Sequence, residues 1–141
     1  MNFARHCPLL LCADLTAASD FYRAQLKLEL TLDLDWFVGL QRPEGQGPRF
    51  ELSLAQAGHP SLDLPTAMAG PTRGLILAFE VENADAECER FRSRGAEVVR
   101  APVDHPWGQR NFYVSAPDGV TLDMFQITTP DPAWLRANGL G

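Results

Sequence analysis

Basic residues are in the minority: 12 Lys and Arg face 18 Asp and Glu, for a net charge of −6 and a pI near 4.9. Nucleic acid and anionic membrane surfaces both require a basic face, so neither is an expected partner. No charged-then-apolar leader opens the sequence, and no apolar run approaches the roughly 18 residues of a membrane helix. Cysteine is scarce. Cys7, Cys12 and Cys88 are odd in number and lack metal-finger spacing, which points to reduced thiols in a cytoplasmic protein. A Ser/His/Asp arrangement, a glycine-rich phosphate loop and a nucleotide fingerprint are also missing, so hydrolase and nucleotide-binding readings find no support. What is present, 45% apolar residues with modest charge, fits one globular domain over 1–141, or two half-units sharing a core.

The pattern along the chain runs strand, helix, three strands, twice. Residues 7–12 are a short apolar run that reads as a buried strand. Asp14 suits a helix N-cap, and Leu15, Ala18, Phe21, Tyr22 and Leu26 recur at helical spacing up to Lys27. Strand-like runs follow at 29–34, 35–41 and 49–54. Residues 57–73, rich in Pro and Gly, form the linker between repeat one (about 5–56) and repeat two (74–128). In the second half, 75–81 is a strand, Asn83 an N-cap, and Ala84, Cys88 and Phe91 a helical stripe closed by Gly95. A strand over 97–100 precedes the final hairpin. The two N-caps lie 69 residues apart and the two helix ends 68, so the order is an internal repeat. Residues 129–141 form a tail in which Trp134 and Leu135 either dock as a short helix or fray.

The richest stretch is His105 to Gln126: a loop (105–109), a strand (110–115), a turn at Pro117-Asp118-Gly119 and a strand (120–126). Pro presets φ in that turn and Gly tolerates φ > 0. In the closing strand Leu122 and Met124 share one face, while Thr121, Asp123 and Phe125 share the other. If the Leu122/Met124 face meets a core, Asp123 looks the opposite way, beside an aromatic. A carboxylate there is costly to bury unless paired, so Asp123 is a candidate site residue, with solvent exposure the plain alternative. The run Pro106-Trp107-Gly108, Phe112-Tyr113-Val114, Pro117-Asp118-Gly119, Leu122-Asp123-Met124 is similar to the end of glyoxalase/bleomycin-resistance/dioxygenase proteins, the vicinal oxygen chelate superfamily. Asp14-Leu15 with Phe21-Tyr22 and Leu26 resembles its opening, and the likeness spans about Cys7 to Gln126. The resemblance implies an α+β fold in which two βαβββ repeats place eight strands around a cleft, helices outside. Lys27 departs from the family pattern, which has Gly at that helix end.

In metal-using members, one ligand lies on the first strand and one on the last strand of each half. A Ni, Zn, Fe or Mn ion there holds two substrate oxygens as a Lewis acid. The equivalent positions in this sequence are Cys7, Glu51, Ile76 and Asp123. The carboxylate pair survives and the imidazole pair does not: Ile76 cannot bind a metal, and a soft Cys7 thiolate suits two hard carboxylates poorly. The expectation is therefore no metal and no cofactor, with a rescue by His6, His59 or His105 as the alternative.

A cleft without metal is expected to be lined by Cys7, Leu9 and Leu11, by Ile76, Ala78 and Glu80, and by Thr121, Asp123 and Phe125. Glu51 and Tyr113 join them, with Trp36 on a strand of undecided direction and Trp107 heading a loop over the mouth. Packing is the alternative for both tryptophans, and loop or capping duty the plainer reading of His105. Such an aromatic pocket with a few acids suits a planar or cationic organic molecule. Bleomycin-resistance-type members, which this sequence resembles, sequester an antibiotic as acidic dimers without chemistry. The implied function is thus small-molecule binding by a homodimer whose open sheet edges pair. A metal-dependent lyase, isomerase or dioxygenase is the alternative, and a module using its cleft only for dimer assembly is a third; catalysis stays open.

Overall fold

The computed structural model describes residues 1–141, which form two compact units, Met1–Arg73 and Gly74–Gly141. Each carries a four-stranded sheet and follows the same plan. In the first unit the order is β1 (Leu9–Cys12), α1 (Leu15–Leu26), β2 (Glu29–Asp33), β3 (Phe37–Gln41) and β4 (Glu51–Gln56). Asp14 starts α1 because its side-chain oxygen accepts the Ala17 amide at 3.0 Å, satisfying one of the helix's unpaired N–H groups. β1 pairs in parallel with β4, which obliges the crossover through α1; β3 and β2 extend the sheet antiparallel. Leu10, Val38, Leu40, Leu52 and Leu54 alternate onto one face of the sheet and are almost fully buried with Leu15, Ala18 and Tyr22 of α1. Lys27 ends the helix in the left-handed region (φ 53°, ψ 42°), so the chain turns where the family's glycine would turn it.

The second unit contains β5 (Ile76–Glu80), α2 (Ala84–Ser93), β6 (Val98–His105), β7 (Gln109–Ser115), β8 (Thr121–Ile127) and a short α3 (Pro132–Ala137). Asn83 caps α2 as Asp14 caps α1, accepting the Ala86 amide at 3.0 Å. Phe91 meets Phe112 edge-on at 5.9 Å in a core completed by Cys88, Val114, Leu122 and Met124. A second matched device ties each helix start to its sheet. Gln56, at the end of β4, accepts the Leu15 amide at 3.1 Å, and Gln126, near the end of β8, accepts the Ala84 amide at 2.9 Å.

Two expectations are corrected. β6 does not stop at Arg100 but runs to His105, through Pro102. Proline is tolerated there because β6 is the sheet's edge and its register shifts between Arg100 and Val103. The supposed loop at 105–109 is therefore only the turn 106–108 of the β6–β7 hairpin, too short for a lid. The tail also has a definite place. The Thr128 amide donates to Gly108 at 2.8 Å, the Asp131 amide donates to Pro106 at 2.8 Å, and Trp134 lies tilted on Trp107 at 6.1 Å. Gly108 permits this approach: φ is 96°, and a Cβ would lie 2.7 Å from Pro130.

Candidate functional site

In the first unit the sheet face turned away from α1 presents Cys7, Leu9 and Glu51. Leu9 is exposed and pairs in register with Ser53, whose hydroxyl lies 3.4 Å from the Cys7 sulfur. Leu11 does not line an open surface. It is buried, and Thr72 of the linker takes both its backbone groups, accepting its N–H and donating to its carbonyl, each at 2.8 Å. Glu51 is held on both oxygens: Arg5 Nη2 lies 2.8 Å from Oε1, Arg5 Nε donates to Oε2 at 3.0 Å, and Arg49 Nη2 donates to Oε1 at 3.2 Å. Its side chain keeps only 11% exposure. Burial pushes the Glu51 carboxyl up, but the hydrogen bonds and charges of Arg49 and Arg5 outweigh it and hold the group below its ordinary value. Trp36 precedes β3 and stacks on His59 (centroids 5.0 Å apart, 9° between planes), which occupies one of its faces. A cavity of about 290 Å³ in the linker, lined by His59, Pro60, Leu62, Asp63 and Leu64 among others, takes in His59 but none of the residues expected to line the cleft.

In the second unit the corresponding face gathers most of the expected residues. Ile76, Ala78 and Glu80 stand opposite Thr121, Asp123 and Phe125 in register, and Tyr113 opposite Asp123 on the other side. Ile76, Ala78 and Glu80 are exposed, while Thr121, Asp123, Phe125 and Tyr113 are half-buried. At the centre is Asn111, which sequence reasoning passed over. It is 4% exposed, and its Nδ2 donates to Asp123 Oδ1 at 2.9 Å. Its Oδ1 accepts from Arg100 Nη2 and lies 2.7 Å from His105 Nε2. Because Arg100 can only donate, the amide oxygen must face it, and His105 Nε2 must then carry a proton as donor. His105 is thus a member of this network, not a loop residue. Its ring stacks on Trp107 at 4.2 Å, and Trp107 donates to Gln109 at 3.1 Å. Trp107 packs between His105 and Trp134 and heads no loop.

The metal ligand set implied by the resemblance does not fit these residues. Ile76 is a hydrocarbon, Glu51 has both oxygens committed to arginines, and the Cys7 thiol donates to the Pro8 carbonyl at 3.3 Å. Of the histidines named as an alternative, His59 accepts the Ser61 amide, His105 serves Asn111, and His6 lies edge-on to Phe3. In neither unit do three His, Cys, Asp or Glu side chains gather as a metal ion would need. No helix is long and apolar enough to cross a membrane.

A family model described as the Glyoxalase/Bleomycin resistance protein/Dioxygenase superfamily matches residues 5–124. Among solved structures, a glyoxalase/bleomycin resistance protein/dioxygenase from Nocardioides is similar at TM-score 0.72 and 26% identity, with 90% of this chain and 87% of that one covered. A superfamily member from Sphaerobacter thermophilus is similar at TM-score 0.64 and 26% identity, covering 86% and 94%. A lactoylglutathione lyase from Agrobacterium tumefaciens, at TM-score 0.66, 21% identity and coverage of 89% and 96%, shares the fold. No curated protein matches the chain.

Proposed function

The chain belongs to the glyoxalase/bleomycin resistance/dioxygenase superfamily, and from that premise we propose that it is a small-molecule-binding protein, taking an aromatic, antibiotic-like ligand without a metal. The observation that carries this reading is the state of the four ligand-equivalent positions. One of them is Ile76, and Glu51, which a metal would need as a donor, is neutralised by Arg5 and Arg49. A carboxylate so paired would have to break charge-assisted hydrogen bonds before it could bind an ion. What the fold retains is a sheet face with apolar and aromatic surface (Ile76, Ala78, Tyr113, Phe125) around a few fixed polar groups, the composition of an organic-ligand site.

The protein acts as a homodimer in this reading. β2 supports that: it is the outer strand of its sheet, every residue in it is exposed, and it carries Leu30 and Leu32. Light scattering at micromolar concentration should give twice the 15.6 kDa chain mass; a particle of the chain mass would remove the dimer.

Binding is tested by calorimetric titration of the purified protein with naphthalene-based aromatic probes, with and without a chelator. The expected result is binding that the chelator leaves unchanged. Binding that appears only with an added divalent ion would overturn the metal-free reading.

A further inference from the structure

Three arginines of the second unit are half-buried: Arg90, Arg100 and Arg110. Two of them hold carboxylates in the ordinary way. Arg90 pairs with Glu87 at 2.6 Å, and Arg110 pairs with Asp85 at 2.9 Å and Asp104 at 3.2 Å. Arg100 has none. Its Nη2 donates to the Asn111 carbonyl at 3.0 Å and to the Asn111 side-chain oxygen, both neutral acceptors. Its guanidinium carbon lies 4.2 Å from the centre of the Tyr113 ring, which supports the cation from below without neutralising it. Its Nε is buried and has no hydrogen-bond partner. A half-buried cation without a counter-ion leaves a charge that something else can complete.

The rest of the network explains why that something is not an acid of this face. Asp123, the carboxylate joined to Arg100 through hydrogen bonds, is reached only by way of Asn111. The amide presents oxygen to the arginine and N–H to the aspartate. It keeps the two charges on separate partners and holds the guanidinium over the Tyr113 ring. Across the same face, Phe125 stands opposite Asn111 on β8, with Ile76 and Ala78 one strand further on β5, and these offer apolar and aromatic surface.

We infer that the ligand of this face is a planar organic acid whose carboxylate, or an equivalent delocalised oxyanion, docks on Arg100 while its ring lies along Tyr113 and Phe125. This rests on the binding function proposed above and reverses the cation preference that Asp123 alone suggests. Asn111 takes both Nη2 hydrogens and Nε is closed off, so a carboxylate meets Arg100 at Nη1, through a charge-assisted hydrogen bond to a cation that Asn111 already holds in place. The chain's net charge of −6 repels anions in general, so a preference for an acid has to come from a local cation.

The test is a charge series on the full chain: calorimetric titration with 2-naphthoate, its methyl ester and 2-naphthylmethylammonium. The acid should bind at least about tenfold more tightly than the ester, the scale of one charge-assisted hydrogen bond, and the ammonium probe most weakly. Arg100→Met should bring the acid down to the ester's affinity. Arg23→Met, which removes the same charge from an exposed position on α1, should leave the preference intact. If Arg100→Met does not fold, the unmodified protein still decides through the three probes, and Arg100→Lys should keep part of the acid preference. Ester or ammonium binding as tight as the acid would overturn the inference and leave the binding function standing. Absence of binding by all three would overturn both.

Discussion

Replacing Asn111 by alanine should be the most damaging single truncation of a polar residue in the second unit. The side chain is 4% exposed and serves three partners: Arg100 Nη2, His105 Nε2 at 2.7 Å and Asp123 Oδ1 at 2.9 Å. Each is half-buried, so truncation leaves the His105 donor and the Asp123 carboxylate without this partner, and Arg100 Nη2 with only the Asn111 main-chain carbonyl. A buried polar group stripped of its partner costs about 1–3 kcal/mol, and water entering the gap returns part of that. Two such groups lose their partner outright, while Arg100 Nη2 keeps the Asn111 main-chain carbonyl, which gives about 2–3 kcal/mol of lost stability. Urea unfolding followed by circular dichroism and tryptophan fluorescence measures the change directly. Asn111→Asp separates charge from shape. It keeps the acceptor for Arg100 and His105 but sets a second carboxylate beside Asp123, so it should destabilise at neutral pH, and Asp123→Asn should restore part of the loss. Asn111→Ala within about 0.5 kcal/mol of the unmodified protein, in the range of ordinary surface substitutions, would refute the claim that this amide organises the face.

Four further expectations follow from the same geometry. Lys27→Gly should raise stability by about 1 kcal/mol, because Lys27 is an exposed residue held at φ 53°, and no gain would mean the left-handed turn is not strained. Asp14→Ala and Asn83→Ala should each cost about 1 kcal/mol as lost helix caps, measured by thermal denaturation. Glu51 is lowered from an ordinary 4.5, so its ion pairs contribute fully above that pH and are lost as pH falls through the lower folded value. Stability should therefore decline on acidification below about 4.5, and Glu51→Gln should flatten that decline; an unchanged acid profile would remove the clamp from the account. Trp107→Ala should lower the melting temperature by freeing His105 and Trp134, at a cost of at least about 1 kcal/mol for the lost ring contacts.

What was legible in the sequence was local. Asp14 and Asn83 announce helix starts because a short side chain can reach its own backbone three residues on. The alternation Leu122, Met124 against Thr121, Asp123, Phe125 fixes the faces of β8, and the observed burial follows it. Pro117-Asp118-Gly119 turns where expected, with Asp118 and Gly119 both at positive φ. What was not legible depends on partners far along the chain or on broken periodicity. Arg5 meets Glu51 46 residues away, and nothing in either segment foretells it. Arg100 sits between two register shifts of an edge strand containing Pro102, so alternation could not assign its face. Asn111 could have been found: it lies two residues before Tyr113, on the same face of β7, across from Phe125. An amide between two aromatics on the face that also carries Asp123 is the signal that was there to follow.

The central claim is that this fold keeps its binding face and has given up the metal. Elemental analysis of the protein, purified without chelator and without a metal-affinity tag, tests it most directly. The expected result is far less than one Ni, Zn, Fe or Mn per chain, unchanged after dialysis against each ion. One tightly held ion per chain, lost on Glu51→Gln or Asp123→Asn, would contradict it.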